Sequence, residues 1–150
     1  MSSHLYSKEI LRLATSLAGQ GRLAHTYASA DRRSPTCGSR VIADVVLDQA
    51  GRIDALGLEA RACALGQASA ALVCAHACGR TAGEMRVAAD ALRAYLVDMG
   101  SEQAADFWPG IDVFVAARAY PARHPSILLA FEPVRDAAEQ ALRLRNGAVA

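Results

Sequence analysis

Tyr6, Ile10, Leu13 and Leu17 fall at i, i+4, i+7 and i+11, the spacing that aligns side chains along one face of a helix. Gly19 and Gly21 interrupt the stripe, so the chain is expected to open with an amphipathic helix. Residues 22–38 show no such period. They are polar and small, and Ser34-Pro35-Thr36-Cys37-Gly38 concentrates turn-forming residues, which reads as a loop carrying Cys37. From Arg40 the period becomes two, with Val41, Ala43, Val45 and Leu47 alternating with Arg40, Ile42, Asp44 and Val46. Asp48-Gln49-Ala50-Gly51 then gives a turn and a second extended run covers residues 52–62, so the pattern predicts an antiparallel hairpin. In such a hairpin the start of the first strand lies beside the end of the second. Cys37 and Cys63 are therefore expected to be neighbours.

Residues 67–78 are poor in strand formers and rich in alanine, which predicts a closely packed helix ended by Gly79. Thr81 and Glu84 form a T-x-x-E capping box, after which Met85, Ala88, Ala89, Leu92, Leu96 and Met99 follow a helical period to Gly100. Trp108-Pro109-Gly110 reads as a connection into a short apolar segment, residues 111–117, taken as helix. Pro125 suits the first turn of a last helix over residues 125–145, with His124 at its mouth. Pro133 lacks an N–H and crowds the preceding turn, so a kink or break is expected over residues 130–132. No internal repeat or linker divides the chain, and residues 1–150 read as one domain of the α+β class, a small antiparallel sheet packed against several helices.

Composition narrows the function. With 53% hydrophobic and 21% charged residues the chain has the make-up of a folded globular protein. Sixteen basic residues against fifteen acidic leave a net charge of +1, which gives no electrostatic footprint for nucleic acid or an anionic membrane. Lys8 is the only lysine, so lysine chemistry is not available elsewhere. No apolar run approaches the roughly 20 residues that cross a bilayer, and no secretion signal is visible, so a cytoplasmic location is expected.

Cysteine is where chemistry concentrates. In that compartment the four cysteines, at 37, 63, 74 and 78, point to metal or thiol roles ahead of disulfides. A thiolate pair on adjacent loops suits zinc, or iron with sulfide, and needs a third ligand. Intervals of 26 residues from Cys37 to Cys63 and 61 from Cys63 to His124 match no zinc ribbon or finger. Cys74 and Cys78, at i and i+4 among alanines, read as packing residues. There is no G-x-S-x-G elbow, H-E-x-x-H or phosphate loop, so nothing marks the chain as an enzyme. Arg32-Arg33 reads as a solvated pair beside the Cys37 loop, able to dock an acidic partner tail.

The run Ser34-Pro35-Thr36-Cys37-Gly38-Ser39, the hairpin, Cys63 and the helix with Gln67-Ala68-Ser69-Ala70 together resemble the IscU/NifU N-terminal family of iron–sulfur cluster assembly scaffolds. His124-Pro125-Ser126-Ile127-Leu128 is similar to the H-C-S-I-L form of that family's third motif, and the long stretch after Cys63 looks like the insertion of its SufU-type branch. The chain departs from the pattern at Ser39, where the family has aspartate, at Pro125, where it has its third cysteine, and at Ala62, where glycine is common. The LPPVK chaperone motif is also absent.

The resemblance implies an IscU-type fold and a non-enzymatic scaffold holding an iron–sulfur cluster or iron, with zinc as the alternative metal. Cys37, Cys63 and His124 would be the ligands, and Ser39 would hydrogen-bond a ligand sulfur. The implied partners are a cysteine desulfurase and iron–sulfur acceptor proteins. Two other readings keep the same fold: an adaptor that contacts those partners without a cluster, and a zinc-binding sulfur acceptor in which Cys37 or Cys63 replaces the missing thiol.

Overall fold

The computed structural model describes residues 5–16, 21–25, 28–35, 38–97 and 106–147. Its elements run α1 (Lys8–Ser16), β1 (Ala28–Arg33), β2 (Arg40–Leu47), β3 (Ile53–Arg61), α2 (Ala64–His76), α3 (Ala82–Val97), two short 3-10 segments (Ile111–Ala119 and Pro121–Arg123) and α4 (His124–Arg145). The strands form one antiparallel sheet in the order β1-β2-β3. This is the α+β architecture that the pattern of alternation and helical stripes predicts. No described helix is long and apolar enough to cross a membrane.

The hairpin β2–β3 is paired from Arg40↔Arg61 to Leu47↔Ile53, with a register shift at Val46/Leu47. β1 is a correction to the sequence reading, which has a loop there. Ala28 to Arg33 pairs with Val45 to Arg40, and the strand is hard to see because it turns only alanines and an arginine inward. Polar contacts with α4 secure it instead: the Ser29 N–H donates to Gln140 Oε1 at 3.1 Å and Arg32 Nε donates to Asp136 Oδ2 at 2.6 Å.

β2 is buried on both faces from Val41 through Val45, and this includes Asp44, a position that alternation assigns to the polar side. Its carboxylate accepts from Arg22 Nε at 2.7 Å, the Leu23 N–H at 3.0 Å and Ser29 Oγ at 2.8 Å. Those bonds hold the segment 21–25 against the sheet. A buried carboxylate needs such partners, because desolvating it alone would cost several kcal/mol.

α2 packs between α1 and α4, and its small residues allow the close approach. Trp108, which the sequence offers only as part of a connection, is fully buried against this seam. Its indole N–H donates to Leu72 O at 3.0 Å, its ring meets Phe131 edge-on at 5.0 Å, and Arg80 lies 3.9 Å over its centre. α3 begins with the expected reciprocal box, Glu84 N–H to Thr81 Oγ1 at 3.0 Å and Thr81 N–H to Glu84 Oε1 at 2.8 Å. The segment after Trp108 is helical as expected, but of the tighter 3-10 kind. α4 runs unbroken through Pro133, so of the kink or break expected over residues 130–132 the break does not occur. Leu128 to Phe131, Val134, Ala137 and Ala138 are buried along it, so tertiary packing holds the turn that lacks one hydrogen bond.

Candidate functional site

The loop between β1 and β2 and the starts of α2 and α4 meet at one corner of the molecule. On the loop side, the Ser34 N–H donates to Ser39 O at 2.9 Å and the Gly38 N–H to Ser34 O at 3.2 Å. Gly38 has φ +72, in the left-handed region that favours glycine. The final pair Arg40↔Arg61 leaves Gly38 and Cys63 each two residues beyond the sheet, on the same side of the hairpin. Cys37 itself lies outside the described residues, so the expected Cys37–Cys63 neighbourhood is described only from its flanks. Ser39 is buried at the base of this loop. Arg40 grips Asp31 through Nε and NH2, at 3.0 and 2.5 Å, and that hydrogen bonding holds the Asp31 carboxyl below its ordinary range.

Cys63 is the N-cap residue of α2, with extended backbone and no side-chain capping bond. Its thiol is free and half-buried, and the residue packs against the core. Its carbonyl accepts the Gln67 N–H at 2.8 Å. The Gln67 amide reaches back to Ala60 O at 2.9 Å, clamping the end of β3 to the first turn of α2. A helix start of this kind places unpaired backbone N–H groups and the positive end of the helix dipole near the Cys63 position.

The first turn of α4 lies against the first turn of α2. A Cβ on Gly66 would come within 3.3 Å of Ser126 O, and Ser69 Oγ donates to Ile127 O at 2.6 Å. His124 opens α4 and is buried, with Nε2 3.0 Å from Ala117 O. A carbonyl only accepts, so this contact requires the proton on Nε2, and in the neutral ring the lone pair is then on Nδ1. A carbonyl behind the distal nitrogen is the arrangement that orients a metal-binding imidazole.

Of the residues singled out from the sequence, the structure therefore brings Cys63, His124 and Ser39 to neighbouring elements. Among the described residues no group of three or more His, Cys, Asp or Glu is arranged around a metal position. Cys74 is half-buried on α2, and burial, with Cys78 nearby, pushes its thiol up to about 11. Cys78 departs from the packing reading: it is exposed in the turn after the helix. Gln67, Gly66 and the Ala117 carbonyl were missed as supporting groups. The glutamine one turn after Cys63 was a readable signal, whereas a backbone carbonyl has none.

A scan against protein-family models gives no match, and a search of curated proteins gives none either. Solved structures do match. The chain is similar to the N-terminal part of a nitrogen-fixing NifU-like protein from Brucella abortus, with 35% identity over 93% of this chain and 96% of that one and a TM-score of 0.84. It also shares its fold with a structure from thermophilic Fervidobacterium islandicum AW-1 described as an iron–sulfur cluster assembly scaffold protein for the SUF system. That likeness has 21% identity, 92% and 99% coverage and a TM-score of 0.81.

Proposed function

The chain belongs to the IscU/NifU N-terminal family, and on that premise we propose that it is a scaffold-type protein, not an enzyme, which carries an iron–sulfur cluster or iron as its cargo. Cys37, Cys63 and Nδ1 of His124 are the proposed ligands. The observation that carries this reading is the His124 bond to Ala117 O, which fixes the imidazole so that Nδ1 offers its lone pair. Cys63, at the adjoining helix start, supplies a soft donor suited to iron. Ser39, buried at the base of the loop, is proposed to hydrogen-bond a ligand sulfur. Three protein ligands leave a position open for a sulfide or a partner's side chain. Pro125 stands exposed where the family's third cysteine would be and supplies no thiol. A cysteine desulfurase and acceptor proteins are the proposed partners.

The test is the iron, zinc and acid-labile sulfide content after anaerobic reconstitution with iron and sulfide. Cys37→Ser and Cys63→Ser are expected to lose most of the bound iron, while Cys74→Ala retains it. Equal loss in all three would remove the assigned site. No iron in the wild-type chain would favour an adaptor that uses the same surface without cargo, and zinc without sulfide would favour a zinc-bound sulfur acceptor.

A further inference from the structure

Beside the cargo corner, the end of β1 and the start of α4 enclose a cleft of about 230 Å³. Arg32, Arg33 and Arg93 line it against a single carboxylate, Glu132. That carboxylate is already engaged: Arg93 NH2 lies 2.5 Å from Glu132 Oε2 and Arg32 NH1 lies 3.7 Å from Oε1. Arg32 also holds Asp136 at 2.6 Å. Arg33 is exposed and makes no ion pair among the described residues, and Asp31, the carboxylate its charge influences, is gripped by Arg40. The cleft thus keeps an excess of positive charge. Ser34, Pro35, Pro125, Leu128 and Leu129 complete its walls, the two prolines exposed at the rim and the two leucines, mostly buried, forming an apolar base.

We propose that this cleft is a docking notch for an acidic, leucine-bearing peptide segment of a partner protein. Arg33 and Arg93 pair with its carboxylates, and its apolar side chain rests on Leu128 and Leu129. Three features favour that occupant. The volume lies below the roughly 300–1,000 Å³ of small-molecule pockets, so one or two side chains fill it. Guanidinium groups suit bidentate pairing with carboxylates. The apolar base adds a contact that a free inorganic anion would not use. The notch also borders the loop before Cys37 and the residue after His124, so a segment held there brings its parent protein to the cargo corner.

The probe is a dye-labelled, acetylated and amidated peptide, Asp-Leu-Glu-Asp-Leu-Glu, followed by fluorescence anisotropy with the full chain and by amide chemical shifts. Binding is expected to shift Leu128 and Leu129 and to weaken at least fivefold in Arg33→Glu and about threefold in Arg33→Gln. The same charge change at Lys8, on α1, should leave it unaltered. Iron and sulfide content should be unchanged in the Arg33 variants, which separates docking from the cargo reading. The proposal is overturned if the Asn/Gln version of the peptide binds equally, if Lys8→Glu weakens binding as much as Arg33→Glu, or if inorganic phosphate gives the same shifts at Leu128 and Leu129.

Discussion

At Cys74 burial works against reactivity. With its thiol pushed up to about 11, roughly one molecule in a thousand is thiolate at pH 8, and thiolate is the reacting form. Iodoacetamide at that pH is therefore expected to modify exposed Cys78 at least tenfold faster than Cys74, read by peptide mass spectrometry. Asp44 illustrates the opposite balance. Burial opposes its ionisation, but hydrogen bonds from Arg22, Ser29 and the Leu23 N–H outweigh it and lower the pKa from 3.8. The stability it contributes is complete above that ordinary value and is lost as pH falls through the lower native one. Asp44→Asn should cost about 2 kcal/mol at pH 7, in line with losing hydrogen bonds to a buried charged group. It should also flatten the fall in urea midpoint below pH 4, and an unchanged acid profile would show that the Arg22–Asp44 pair has no such role.

At the scale of elements, the passage from β3 into the first turn of α2 depends on Gly66. A Cβ there would meet Ala62 Cβ at 2.6 Å, closer than two carbons can approach. Gly66→Ala should destabilise the chain by about 1–2 kcal/mol through overpacking and lower iron retention by shifting Cys63. Ala62→Gly in the same chain should restore most of both, and a simple sum of the two single effects in urea unfolding would contradict a direct clash. The elements also show what the sequence makes legible. Alternation and turn chemistry expose β2 and β3, and the Thr81–Glu84 box marks the start of α3, because each signal is local. β1 escapes such a reading because its support is distant, from Gln140 and Asp136. Pro133 misleads for a related reason: the buried faces on both sides of it keep α4 continuous. The early start of α2 is likewise hidden, since Cys63 caps it without the hydrogen-bonding side chain that usually announces a helix.

For the whole molecule, the sheet and the α2–α4 seam bring two helix starts and the β1–β2 loop to one corner. Motif resemblance singles out Cys37, Cys63 and His124, and the fold explains how residues 61 positions apart in sequence, Cys63 and His124, come to neighbouring elements. The imidazole's orientation was not legible, because its partner is the Ala117 backbone. Ligation by His124 is tested by nitrogen hyperfine coupling in pulsed electron paramagnetic resonance of the reconstituted, dithionite-reduced protein, compared with protein carrying ¹⁵N-labelled histidine. A bound imidazole should give a coupling of directly bound strength that changes with the label and disappears in His124→Ala. A reduced cluster with no such coupling, or one that persists in His124→Ala, would contradict that ligation.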